Sequence, residues 1–164
     1  MKLKYKQLYK SVLKEYQQFS KCARLKVAAL LVNDGRILCC GYNGTPSGQT
    51  NCNELFTIID GKFYIRDSIA EPWSEVSESK WKELHHEFAN KNELHAEQNM
   101  LGMCLQKNID VSDCSIVISH EPCESCARLI YAAGIKHVLY VENYDRGSRG
   151  VEFLTANGVK VEQF

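Results

Sequence analysis

The chain has 164 residues, 45% apolar and 24% charged, which suits one domain with a full core. Its 20 basic and 20 acidic side chains balance to zero, and no basic run offers a footprint for RNA or DNA, although one or two local cations can still hold a small phosphate. The Lys-rich N-terminus lacks a signal-peptide core and no apolar run nears the roughly 20 residues of a membrane span, so a cytoplasmic protein is expected. In a reducing compartment its eight cysteines suit metal ligation or burial better than disulfides.

In chain order, Leu3, Leu8, Tyr9, Val12, Leu13, Tyr16 and Phe19 recur at helical spacing and predict a helix over 3–20. "KVAALLV" (26–32) and "RILCCGY" (36–42) are two strands joined through Asn33-Asp34-Gly35 as a hairpin. "GYNGTPSGQTN" follows as a loop. Residues 53–91 hold Gly61, Pro72, both tryptophans and many charges, and read as an irregular insertion with few apolar residues of its own and short helical pieces over 73–89. A helix is expected from His95 to Lys107, a strand over 114–119 and a helix from Cys123 to Ala133 ended by Gly134. A strand over 137–141, a short helix over 152–156 and a last strand "VKVEQF" complete the chain. Strands alternating with helices in the second half imply parallel neighbours. The expected fold is a single α/β domain over residues 1–164, a three-layer α/β/α sandwich around a five-stranded mixed sheet.

Chemistry concentrates in "HAEQNML" and "EPCESC". Residues i and i+3 share a helix face, so Cys123 and Cys126 at a helix start aim two sulfurs at one spot. The helix N-terminus favours their thiolates. With His95 they make three ligands for Zn²⁺, and a fourth position left for water marks a catalytic zinc. Two thiolates cancel the metal's charge, so the water needs a base to lose its proton, and Glu97 is placed to be that base. Pro122 suits the strand-to-helix turn. A lone CxxC also fits a redox pair, and a lone HxE a surface helix start. The combination H-x-E…P-C-x-x-C is the zinc deaminase signature.

These motifs, with "GYNGTPSG" and "GIKHVLYVENYD", resemble the cytidine deaminase superfamily, in particular its deoxycytidylate (dCMP) deaminase branch of bacteriophage and bacterial type. The likeness runs from Ser20 to the C-terminus and is weak through 53–84. It implies a hydrolase in which activated water attacks C4 of cytosine and ammonia leaves, turning dCMP into dUMP for thymidylate synthesis. Glu97 matches the family's proton-shuttling glutamate and Asn43 its sugar-binding asparagine. Lys26 falls where a cation near the substrate phosphate is expected, or is a solvated strand end. Tyr144 matches an aromatic beside the substrate, or packs in the core. Glu121, before Pro122, departs from the usual dCMP pattern and is common in tRNA adenosine deaminases. Other substrates therefore stay open: a cytosine nucleoside, a 5-modified nucleotide or an adenosine in tRNA. A non-catalytic zinc module is a rival that Glu97 argues against.

The resemblance also implies a second, structural zinc held by Cys22, Cys52, His85 and Glu93. Four protein ligands make a closed site that would pin the insertion to the domain. The alternative is two buried thiols and an exposed histidine. Cys39, Cys40, Cys104 and Cys114 sit in apolar contexts and are expected in the core. Family likeness further implies a homo-hexamer, dCTP and dTTP as effectors, and Mg²⁺ carried with a triphosphate effector.

Overall fold

The structure is a computed structural model that describes residues 3–144 and 147–164. In chain order, α1 (Leu3–Gln17) precedes β1 (Ala28–Asn33) and β2 (Arg36–Tyr42). Next come α2 (Cys52–Leu55), β3 (Phe56–Ile59), β4 (Lys62–Ile65), β5 (Ser74–Val76) and α3 (Glu78–Asn92). The chain then alternates through α4 (Ala96–Gln106), β6 (Ser115–His120), α5 (Glu124–Ala132), β7 (His137–Glu142), α6 (Arg149–Ala156) and β8 (Lys160–Gln163).

Five strands form the main sheet in the order β2-β1-β6-β7-β8. β1 runs antiparallel to both β2 and β6, while β6, β7 and β8 are parallel. The period of two in β1 divides the core. Ala29 and Leu31 face Met100, Ala127, Ile130 and Leu154 from α4, α5 and α6. Leu30 and Val32 face Tyr9 and Leu13 of α1. The expected three layers and mixed sheet are therefore present, with one helix on one face and three on the other. Cys39, Cys104 and Cys114 are buried in the first of these clusters and Cys40 packs on the second; all eight cysteines are free thiols.

The insertion differs from expectation. Besides the four-residue α2, residues 52–92 hold a three-stranded antiparallel sheet, β3-β4-β5, and one 15-residue helix, α3, where short helical pieces were expected over 73–89. The signal was Asp60-Gly61. Their φ angles of 50° and 75° match the 46° and 81° of Asp34-Gly35, and both pairs close two-residue hairpins of the mirror-image type that needs positive φ twice. Nor is the insertion poor in apolar residues: Phe56, Phe63, Ile65, Val76, Trp81 and Phe88 pack together, with Trp81 at 1% exposure. Ser77 caps α3 by accepting the Lys80 N–H at 3.2 Å.

One close approach sets the position of α4. A Cβ on Gly41 would lie 2.5 Å from the Ala96 carbonyl oxygen and 2.6 Å from the Met100 nitrogen, so α4 rests on the bare backbone of β2. Backbone cannot step aside as a side chain can. Gly41→Ala is expected to cost about 3 kcal/mol and lower Tm by roughly 6–12 °C. Gly102, in the same helix, has nothing within 4 Å of its missing Cβ. Gly102→Ala should instead hold or raise Tm, since alanine is the better helix former by about 1 kcal/mol. Thermal melts of the two variants check this.

Candidate active site

The C-terminal end of β6 and the N-terminal ends of α4 and α5 meet at one crevice, the usual binding position in a parallel α/β sheet. His95 is the N-cap of α4 and Cys123 the N-cap of α5, both with extended backbone. Cys126 lies one turn into α5 and is fully buried. The Gln98 side chain accepts the His95 N–H at 2.8 Å, which fixes the entry into α4.

His95 Nδ1 is 3.4 Å from both Cys123 Sγ and Cys126 Sγ. Zinc bonds of about 2.0 Å to nitrogen and 2.3 Å to sulfur, set in a tetrahedron, space those atoms about 3.5 Å apart. Both nitrogen-to-sulfur edges therefore match those of a zinc site, and all three ligand atoms lie within 4.8 Å of one another. Hydrogen bonds from Cys126 first, then from His95 and Ser125, hold the Cys123 thiol down to about 3. The Cys123 thiolate and burial push Cys126 the other way. That same thiolate, more than any other group, raises His95. Glu97 stands in the first turn of α4 at 3% exposure. Burial, and then the negative charge of Cys123, push its carboxyl up, as suits a group that must both take and give a proton.

A second cluster joins Cys22, Cys52 and His85, whose ligand atoms all lie within 4.8 Å of one another. Cys22 Sγ and His85 Nε2 are 3.5 Å apart, again a zinc-like edge. The imidazole stacks on Trp81 at 4.9 Å and meets the Phe56 ring edge-on, so its aim is fixed by packing. Cys52 is the first lever that holds the Cys22 thiol down to about 3, with His85 and the backbone N–H groups of Leu25 and Arg24 adding to it. Glu93 borders the cluster, and burial first and the Cys22 charge second push its carboxyl up to about 7. Its Oε1 is buried without a hydrogen-bond partner. Glu93 falls outside the three ligand atoms grouped within 4.8 Å, but an orphaned carboxylate oxygen next to the two thiols fits a fourth metal ligand.

The first cluster opens on a cavity of about 710 Å³, within the range of small-molecule sites. Asn43 lines it and is locked in place: its Oδ1 accepts from Val27 N at 2.7 Å and Ser20 Oγ at 2.8 Å, and its Nδ2 donates to Leu25 O at 2.9 Å. Tyr144, half-buried, also lines the cavity. Lys26 does not. It is exposed, and two residues earlier Arg24 faces the cavity instead. The strand starts at Ala28 rather than at residue 26, so both cations lie in the irregular segment before it. His120, Glu121, Arg128 and Arg149 also border the cavity and were not foreseen. Arg128 is paired with Glu124 one turn away.

The zinc-binding region of cytidine and deoxycytidylate deaminases matches residues 3–142. The chain belongs to this family. The deoxycytidylate deaminase of Enterobacteria phage T2 is 31% identical over 157 residues, covering 88% of this chain and 84% of its own. That of phage T4 is likewise 31% identical, with 88% and 81% covered. Among solved structures, the dCMP deaminase of cyanophage S-TIM5 in complex with dCMP and dUMP is 33% identical, spans 100% of this chain and 99% of its own, and superposes with a TM-score of 0.74. The family's zinc-binding region thus contains both Cys/His clusters of this deaminase. No helix among its described residues is long and apolar enough to cross a membrane.

Proposed function

We propose that this deaminase converts dCMP and water into dUMP and ammonia in the cytoplasm, with zinc held by His95, Cys123 and Cys126. The observation that carries the reading is a buried carboxylate, Glu97, beside a zinc-sized His/Cys₂ triangle that opens on a nucleotide-sized cavity. Its full-length likeness to a phage enzyme solved with dCMP and dUMP supports the choice of substrate. Zinc, when bound there, supplies a Lewis acid that makes water a nucleophile near neutral pH. Glu97 takes one proton from that water and delivers it to the base nitrogen, then takes the second from the hydroxyl that has added to C4 and delivers it to the departing amine, leaving the C4 carbonyl of dUMP. Burial keeps bulk water from competing for these transfers. Asn43, fixed by three hydrogen bonds, presents its remaining amide hydrogen to the sugar. Tyr144 walls the pyrimidine side.

The phosphate falls to Arg24 rather than to Lys26 in this reading, because Arg24 borders the cavity and offers a bidentate fork. The expected result is a clear preference for dCMP over deoxycytidine in kcat/KM. Arg24→Ala should narrow that preference about tenfold or more, while Lys26→Ala leaves it within roughly twofold. Equal kcat/KM for nucleotide and nucleoside in the parent would refute phosphate recognition, and ammonia release across a substrate panel is the assay.

The second cluster, Cys22, Cys52 and His85 with Glu93, belongs to the same proposal as a closed structural zinc site. Control by dCTP and dTTP, Mg²⁺ on a triphosphate effector, and hexameric assembly are part of the reading by family likeness.

A further inference from the structure

The turn that delivers Cys123 is fastened at three points to the end of β7 and the chain that follows it. The Glu121 N–H donates to the Glu142 carbonyl at 2.8 Å. The Tyr144 N–H donates to Glu121 Oε2 at 3.0 Å. Farther on, Gly150 sits so close that a Cβ would lie 2.0 Å from the Pro122 carbonyl oxygen. Tyr144 belongs to neither strand nor helix, so no ladder fixes its backbone. Glu121 is 5% exposed, and burying a carboxylate is costly unless its oxygens meet donors. Here one oxygen takes a main-chain N–H, a charge-assisted bond. The residues so fastened, Tyr144 at one end and Arg149 beside Gly150 at the other, both line the cavity, as does Glu121 itself.

We propose that Glu121 is a positioning residue for substrate binding. Its carboxylate holds the Tyr144 backbone and thereby sets Tyr144 as a wall of the cavity, while the contact of Gly150 with Pro122 sets the end that carries Arg149. The inference rests on the deaminase reading above. Because the bond is to a wall and not to the reacting atoms, its loss acts on substrate affinity more than on the chemical step.

The test combines kinetics with dCMP and amide hydrogen exchange on the zinc-loaded protein, using Glu121→Ala, Glu121→Asp and Glu121→Gln. Alanine removes the acceptor, and aspartate keeps the charge but withdraws it by one methylene. Both should raise KM about tenfold or more with a much smaller change in kcat and unchanged zinc content. Both should also lose protection of the Tyr144 N–H by at least about tenfold. Glutamine keeps an oxygen for the same N–H, so its KM should stay within roughly threefold of the parent, with protection retained. If alanine fails to fold, the aspartate and glutamine pair decides. Unchanged Tyr144 protection in the folded alanine or aspartate variant overturns the proposal, as does an unchanged KM. A parent inactive on dCMP counts against the functional reading alone, and the exchange measurement then decides this one.

Discussion

Glu97→Gln is expected to leave zinc bound and lower kcat by at least two orders of magnitude. Glutamine fills the same volume and can still hydrogen-bond, so the buried site in the first turn of α4 should fold as before. It cannot carry a proton. General acid–base assistance is typically worth about 10²–10⁴-fold, and here the removal of a proton from water and its return to the substrate fall to one side chain. The loss should therefore lie in kcat, with dCMP still bound. Zinc content by elemental analysis and steady-state turnover, measured on the same preparation, check both halves. A variant within about tenfold of the parent would remove Glu97 from the chemistry. A variant without zinc would make it a ligand rather than a base.

Cys52→Ala should produce the largest loss of stability. Cys52 is 1% exposed, starts α2 and accepts the Ala23 N–H at 3.3 Å. With Cys22, His85 and Glu93 it would close a site that ties the segment before β1, the insertion and the start of α4 together. Metal binding energy at such a site is also folding energy. The small apolar cluster around Trp81 and Phe56 offsets part of the loss, so the insertion should loosen rather than unfold outright. A cost of about 3–5 kcal/mol, and so a fall in Tm of roughly 10 °C or more, is expected. Zinc should drop from about two ions per chain to about one, matching the two clusters. Hydrogen exchange should rise across 52–92 first. Cys123→Ala should instead remove activity directly and change Tm less. An unshifted Tm for Cys52→Ala, with one zinc in the parent, would leave the second cluster without the role given to it.

Much of this was written in local chemistry. The His95, Glu97, Cys123 and Cys126 set was readable because its spacing is dictated by helix starts, and both starts occur at the expected residues, as N-caps. The sheet followed from alternation of strand and helix after residue 95. The insertion was misread for a different reason. "FTIIDGKFYI" carries the same Asp-Gly turn as "LLVNDGRILC", but its strands are four residues each and half-exposed, so they lack the apolar run that drew attention to the first hairpin. Lys26 was expected at the cavity and lies outside its lining, because the path of the chain before Ala28 depends on what the backbone bonds to, here Asn43 and Ser119 from distant segments. Glu121 drew notice only as a departure from pattern. Its bond to Tyr144 spans 23 residues and no local rule predicts it.

The zinc-loaded chain is expected to remove ammonia from dCMP by hydrolysis. The most direct measurement is ammonia and dUMP produced per enzyme from dCMP, deoxycytidine, dCTP and adenosine, each run with the parent and with Glu97→Gln. Equal amounts of ammonia and dUMP are expected from dCMP, with the highest kcat/KM of the four for that substrate and collapse of turnover in Glu97→Gln. No ammonia from dCMP with zinc present at His95, Cys123 and Cys126, or ammonia release that Glu97→Gln leaves intact, would contradict this mechanism.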